Sequence, residues 1–232
     1  MVVPMAAVAD PLRFLVSSAW AMPFGKFEGD RFVGGILYDL AQAVGEQIAQ
    51  PIAFVVLPRK RLDGAALSGD VDLYCYSNPR WTLARDAFVW SDSLFKVDDV
   101  LFATKGTPAP TGIADIPAGA RVSSVLGYQY QALSGQFESG ALRREDVIDQ
   151  EKVMLKVTAA RTPYGISDAP MLDWYQHETP HHNLASWRLV VASSDFHCAV
   201  PKAGRVSPDV LLRALSTLKK NGTFDAITRK YR

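Results

Sequence analysis

The alternation of strand-like and helix-like segments constrains this chain most. In the first part, apolar or β-branched runs predict strands at 12–18, 52–58 and 71–77, while 3–4-residue apolar spacing predicts helices at 34–48 and 59–69. Strands that alternate with helices form parallel sheets with helices packed on their faces. This part of the sequence therefore predicts a parallel α/β unit.

The same alternation restarts after a loop rich in Gly and Pro at 106–119. The second series predicts three further strands and three further helices, at 121–125, 128–139, 145–150, 151–160, 164–168 and 169–177. The chain closes with two predicted helices, the first of which is expected to begin after Ser207 and end at Gly222.

Two long extended segments without helical periodicity, 88–105 and 186–202, separate and follow the second series. We interpret them as two crossover strands between two lobes, each a mostly parallel sheet with flanking helices. The expected boundaries are 10–98 together with 196–232 for lobe 1, and 99–195 for lobe 2. Ligands of parallel α/β sheets bind at the carboxyl ends of the strands, so a shared cleft is expected between the lobes.

Composition excludes several kinds of partner. The 25 Lys and Arg residues nearly balance the 24 Asp and Glu residues, which argues against nucleic acid or a polybasic membrane contact. No apolar run approaches the roughly 18 residues of a membrane span. The 48% hydrophobic content is enough for a sizeable core, and we expect a monomer.

The first nine residues are apolar and small, and Ala7-Val8-Ala9 fits a signal-peptidase site. We interpret residues 1–9 as the residual end of an export signal, with the mature chain starting near Asp10; a disordered cytosolic N-terminus is the alternative. The two cysteines, Cys75 and Cys198, lie in apolar runs. They are either buried thiols or, in an oxidising compartment, a disulfide.

Several ordered segments carry a resemblance to a known family. "PFGKFEGDRFVGGILYDLAQAVGEQI", "LDGAALSGDVDL", "FVWSDSLFKVDDVLFATKG" and "LLRALSTLKKNGTFDAITRKY" occur in the order and spacing typical of that family. The chain thus resembles the family 3 periplasmic solute-binding proteins, mostly amino-acid receptors of ABC importers. The resemblance implies a type II periplasmic binding protein fold, with a small-molecule ligand and a membrane permease as partners.

The resemblance also implies a set of ligand-binding positions at the ends of strands. These positions are Ser18, Trp20, Arg59, Tyr76, Ser77, Pro79, Arg80, Gly127, Tyr128, Gln129 and Asp168. The family's carboxylate-binding arginine is replaced by Ala84, so Arg59, Arg80 or Arg85 is left to take its role, or the ligand is not an α-amino acid.

Structural roles compete with each of these assignments. Asp168 also suits a helix N-cap, and Arg59 lies in a basic run that would be solvated. We expect Gly127-Tyr128-Gln129 to open a helix whose free N–H groups favour an anion. Trp20, Tyr76, Trp81 and Tyr128 could form an aromatic wall, which would favour a flat or cationic ligand.

The sequence offers little for catalysis or metal binding. "HETPH" at 177–181 matches a zinc-protease string, but Pro180 would interrupt the helix that places both histidines on one face. We therefore expect no cofactor and no metal. The predicted function is an extracytoplasmic binding protein that delivers an amino acid or related organic acid to an ABC importer. The alternatives are a cyclohexadienyl-type dehydratase on the same scaffold, with Asp168 as acid, and a sensor without transport.

Overall fold

The computed structural model describes residues 10–82 and 84–231, so the predicted signal remnant at 1–9 lies outside the described residues. Its strands, in chain order, are β1 (Leu12–Ser17), β2 (Lys26–Glu28), β3 (Arg31–Gly34), β4 (Ile52–Leu57), β5 (Leu73–Ser77), β6 (Phe88–Trp90), β7 (Phe95–Ala103), β8 (Ala120–Val125), β9 (Leu142–Val147), β10 (Tyr164–Asp168) and β11 (Leu189–Pro201). Its α-helices are α1 (Ile36–Ile48), α2 (Arg59–Leu67), α3 (Ser134–Glu138), α4 (Gln150–Thr158), α5 (Ala169–Glu178), α6 (Pro208–Lys220) and α7 (Thr223–Arg229).

The strands form one curled sheet in the order β4-β1-β5-β11-β7-β10-β8-β9, and β6 also pairs with β11. At each end the strands are parallel: β1 pairs with β4 and β5, and β8 pairs with β9 and β10. The predicted two-lobed α/β class is confirmed. The exact lobe boundaries stay a prediction; below, the strands β4-β1-β5 mark the first lobe and β10-β8-β9 the second.

The two lobes are connected through the antiparallel pair β7 and β11. The register runs from Leu189 opposite Leu101 to Phe196 opposite Phe95. These two strands fall within the two extended segments that the sequence predicts as crossovers. Because β7 also pairs with β10 and β11 also pairs with β5, each crossover strand contacts one lobe directly.

Helical spacing explains how the covering helices pack. Helix α1 buries Ile36, Leu37, Leu40, Ala41 and Val44, which recur every three or four residues and so share one face. Helix α6 follows the same rule with Leu211, Ala214, Leu215 and Leu218, and it contacts α1. Together they cover the first lobe on the side where β11 returns.

Two buried interactions connect β5 to the rest of the first lobe, one at the amino end of the strand and one in its middle. The Asp72 carboxylate, directly before β5, lies 2.7 Å from an Arg13 guanidinium nitrogen of β1 and accepts the Arg205 backbone N–H at 2.7 Å. Cys75 in β5 and Cys198 in β11 form a disulfide, which resolves the alternative left open by the sequence.

Two predicted elements were wrong in detail. The strand expected at 145–150 is β9 at Leu142–Val147, because Asp149 instead caps α4 by accepting the Lys152 backbone N–H at 2.8 Å. The helix expected at 128–139 is reduced to a 3₁₀ turn at Gln131–Leu133 and the short α3. Within the described residues, no helix combines the length and apolarity that crossing a membrane requires.

Candidate functional site

A small cavity lies between the lobes at the carboxyl ends of β5 and β10. It has a volume of about 50 Å³, far below the roughly 300 Å³ at which pockets for drug-sized ligands begin. Its walls come from both lobes and from both crossover strands. The lining residues are Ser17, Arg59, Tyr74, Tyr76, Trp81, Asp99, Tyr128, Gln129, Tyr130, Asp168 and Phe196.

The structure brings together six of the residues singled out from the sequence. Arg59, Tyr76 and Trp81 come from the first lobe, and Tyr128, Gln129 and Asp168 come from the second. The remaining predicted positions lie outside the lining of this cavity, and their placement has identifiable local causes. These positions are Ser18, Trp20, Ser77, Pro79, Arg80 and Gly127.

Side-chain alternation along β1 decides which serine reaches the cavity. Ser17, the last residue of β1, is buried and lines the cavity, whereas Ser18 is exposed. Trp20 is buried behind the lining, with its ring parallel to that of Tyr74 at a centroid distance of 6.5 Å and edge-on to that of Tyr76 at 6.0 Å. Trp20 therefore supports two wall residues rather than forming the wall.

The loop after β5 also directs most of its polar groups away from the cavity. Ser77 is buried and pairs with His197 of β11, and Pro79 begins a 3₁₀ turn. Arg80 is exposed, and its backbone carbonyl accepts a hydrogen bond from the Gln131 side chain of the second lobe at 3.1 Å. Arg85 is also exposed, so Arg59 is the arginine among these three candidates that lines the cavity.

The predicted helix N-terminus at Gly127-Tyr128-Gln129 was wrong. Gly127 has a left-handed φ of 86°, the Tyr128 N–H bonds back to the Val125 carbonyl, and α3 begins only at Ser134. Tyr130 stabilises this turn, because its hydroxyl accepts the Val125 N–H at 3.0 Å. A Cβ at position 127 would approach the Lys60 Cγ to 3.0 Å, so glycine allows the turn to contact α2 across the cleft.

Tyr76 and Asp168 meet at the centre of the cavity. The Tyr76 hydroxyl donates to the Asp168 carboxyl, which links the first lobe to the second. Tyr76 is a non-glycine residue with a φ of 62°, and its ring stacks on Phe196 at a centroid distance of 4.0 Å. A bulky residue in the left-handed region is strained and is typical of functional sites.

Asp99 places a second carboxyl beside Asp168. The two residues are direct partners in the antiparallel pairing of β7 with β10, so their side chains share one face. Burial and the Asp99 charge raise the pKa of Asp168 well above its usual value, although the Tyr76 hydroxyl opposes them. Burial also raises the pKa of Asp99, while a hydrogen bond with Asp168 opposes the rise. Burial and mutual repulsion therefore oppose the simultaneous ionisation of the two carboxyls.

Arg59 supplies the positive charge on the opposite wall. It begins α2 at the carboxyl end of β4, and its side chain is only 15% exposed. The guanidinium lies 3.3 Å from the Asp63 carboxylate one helical turn later. Its charge is thus partly compensated within its own helix.

Aromatic rings make up most of the remaining wall. Besides Tyr76, they are Tyr74, Trp81, Tyr128, Tyr130 and Phe196, and Trp81 packs edge-on against Phe196 at 5.0 Å. Burial raises the pKa of Tyr74 to about 12, and it also raises the pKa values of Tyr128 and Tyr130. The tyrosines of the wall therefore stay neutral in the physiological range.

Sequence reasoning missed five lining residues: Ser17, Tyr74, Asp99, Tyr130 and Phe196. Tyr74 had an available signal, since it is two residues before Tyr76 on the same strand and so shares its face. The sequence contained no comparable signal for Asp99, because only the register of β7 against β10 places this residue beside Asp168.

Larger grooves also occur elsewhere on the described residues. One, of about 590 Å³, lies between α5 and α7 and is lined partly by Lys230 and Tyr231; both of these bind the Asp39 carboxylate. No group of three or more potential metal-ligating side chains occurs in the described part of the chain. Helix α5 ends at Glu178, so His177 and His181 do not share a helical face.

Searches for similar proteins found no matching family model and no matching curated protein. Solved structures do match. An ancestral arginine-binding protein bound to arginine has a TM-score of 0.81 at 19% identity, covering 97% of this chain and 99% of that one. The substrate-binding protein of an amino acid ABC transporter has a TM-score of 0.76 at 18% identity, covering 95% and 98%.

A third similar structure is the ancestral amino acid-binding protein AncCDT-1, described as a precursor of cyclohexadienyl dehydratase. Its TM-score is 0.74 at 17% identity, with 95% of this chain and 94% of that one covered. At these identities the likeness concerns the fold. The fold expected from the motifs, that of the two-lobed type II periplasmic binding proteins, is confirmed.

Proposed function

We propose that this chain is an extracytoplasmic solute-binding protein that closes its two lobes on a small polar ligand. The observation that carries the proposal is the Tyr76–Asp168 contact, which joins the lobes inside a cavity at the carboxyl ends of the strands. An amino acid or a related organic acid is the ligand class that the similar structures favour.

The Cys75–Cys198 disulfide supports a location outside the cytoplasm, since disulfides persist in oxidising compartments. A periplasmic protein of this fold would deliver its ligand to an ABC permease in the inner membrane and would act as a monomer. The similar binding protein from an amino acid ABC transporter supports this role.

Ligand-induced stabilisation tests the proposal directly. Purified protein is heated with a panel of amino acids, organic acids and amines. A ligand at 100 times its Kd should add about 2.7 kcal/mol of stability, which gives a clear rise in melting temperature. Asp168→Asn should abolish the rise, whereas the control Asp173→Asn, on the outer part of α5, should keep it. A panel in which no compound shifts the melting temperature would contradict the proposal.

A second candidate, a dehydratase on the same scaffold, is favoured by one observation. The raised pKa of Asp168, caused first by burial and next by Asp99, keeps a proton available in an aromatic cavity, as a general acid requires. Incubation with prephenate or arogenate decides between the candidates. Turnover that disappears in Asp168→Asn would establish the enzyme, and binding without turnover would reject it.

A further inference from the structure

The cavity contains an excess of acidic groups. Asp99 and Asp168 face each other on β7 and β10, and both line the same cavity. Asp168 is only 6% exposed. On the opposite wall, the Arg59 guanidinium is already 3.3 Å from Asp63. Full ionisation of the two carboxyls therefore leaves a negative charge that the lining residues do not balance.

The rest of the wall is suited to a positively charged group. Six aromatic side chains surround the acidic pair, and their ring faces carry negative electrostatic potential. Tyr76 occupies the centre by donating its hydroxyl to Asp168. The cavity of about 50 Å³ leaves little room beside that hydroxyl, so a bound group must displace Tyr76 from Asp168 or widen the cleft.

We infer that the ligand of this site is a small organic cation, an amine or guanidinium without a carboxylate, whose positive group binds between the facing carboxyls of Asp99 and Asp168. The inference rests on the proposed function, a binding protein for a small polar ligand, and departs from the amino acids and organic acids that the similar structures favour. Binding forms an ion pair with the two carboxylates, and a proton displaced from the pair passes to the solvent. A carboxylate on the ligand would be repelled by the same two groups.

Burial raises the pKa values of both carboxyls of the acidic pair. Burial is the main cause of the raised pKa values of the wall tyrosines, so these side chains stay neutral. Asp98, on the same strand, bonds to Ser193 of β11. The titratable and charged groups near the pair are thus Tyr74, Tyr76, Tyr128, Tyr130, Arg59 and Asp98.

Isothermal titration calorimetry with agmatine, arginine and glutamate tests the inference. Agmatine is arginine without its carboxylate, so the two share a guanidinium and an ammonium group and differ in the carboxylate. We expect agmatine to bind at least about tenfold more tightly than arginine, and glutamate to bind most weakly. Titrations at pH 7 in phosphate and in Tris buffer should give different binding heats. The difference should correspond to the release of close to one proton to the buffer. The agmatine affinity should rise with pH by up to about tenfold per unit while the pair holds its proton.

Matched variants test whether Asp99 and Asp168 cause the agmatine binding and the proton release. Asp168→Asn and Asp99→Asn should each weaken agmatine binding by about 100-fold and remove the proton release. Asp173→Asn, on the outer part of α5, should leave both unchanged. Melting curves of the three variants establish that each is folded before titration.

Two results would overturn the inference while leaving the proposed function intact. They are tighter binding of arginine or glutamate than of agmatine, and agmatine binding without proton release. Failure of every compound in the thermal panel would instead contradict the proposed function itself.

Discussion

The two ends of β5 place buried carboxyl groups in opposite environments. At the amino end, Asp72 receives two hydrogen bonds from the Arg13 side chain and one each from the backbone N–H groups of Arg13 and Arg205. At the carboxyl end, Tyr76 reaches Asp168, whose nearest charged neighbour is another carboxyl, Asp99.

The pKa shifts of the two aspartates differ in sign. Burial acts to raise the pKa of Asp72, but the Arg13 side chain and the two N–H groups outweigh it and lower the pKa. Burial and Asp99 raise the pKa of Asp168, and the single Tyr76 hydroxyl does not compensate. One end of the strand is therefore arranged for stability, and the other retains an electrostatic cost that a ligand can remove.

Removal of the disulfide, in the middle of β5, should have the largest effect on stability. The bridge spans 123 residues of sequence, and a loop of this length corresponds to about 5 kcal/mol of unfolded-state entropy. The double variant Cys75→Ala/Cys198→Ala should lose this amount in urea unfolding. Equal stability of the variant and the oxidised wild type would show that the bridge does not stabilise this end of the sheet.

Asp72→Asn should be the next most destabilising change. It leaves the Arg13 guanidinium, 13% exposed, without its ionic partner, at a cost of about 3 kcal/mol at pH 7. Because the folded pKa of Asp72 is lowered, its stabilisation is present above pH 4 and is lost as the pH falls through the folded pKa. Urea unfolding from pH 2 to 7 measures this, with the exposed Asp92→Asn as control; a difference independent of pH would contradict the charge argument.

Tyr76→Phe should have a smaller effect at the other end of the strand. The ring still stacks on Phe196, but the hydrogen bond between the lobes is lost. We expect a loss of about 1.5 kcal/mol in thermal unfolding at pH 7. The control is Tyr38→Phe, whose ring packs on Phe54 in the first lobe. An equal change in both variants would show that the Asp168 contact does not stabilise the closed arrangement.

The architecture was predictable from the sequence because its signals are local. Apolar spacing in α1 and β-branched runs in β1 and β4 depend only on neighbouring residues. The β2–β3 hairpin was missed because its strands are only three and four residues long. The helix predicted from Tyr128 was wrong because Tyr130 bonds back to Val125 and closes a turn instead.

A site residue was predictable from the sequence only where it lies at or just after the end of a strand. Arg59, Tyr76 and Asp168 each follow or end a strand, so their sequence positions place them at the cleft. Asp99 and Phe196 lie within the crossover strands, and only long-range register brings them to the cavity. The charge balance of the site, which depends on Asp99, therefore could not be read from the sequence.

The central claim is that Asp168 is positioned to bind a ligand and does not stabilise the fold. The most direct test is to compare the free energy of unfolding of Asp168→Asn with that of the wild type. Asparagine can still accept from Tyr76 and donate to Asp99, without the charge. Because the folded pKa of Asp168 is raised, wild-type stability falls as the pH rises from 4 towards that pKa. Urea unfolding should show the variant about 1 kcal/mol more stable than wild type at pH 8 and equal to it near pH 4. A variant less stable than wild type at pH 8, as expected of Asp72→Asn, would contradict the account.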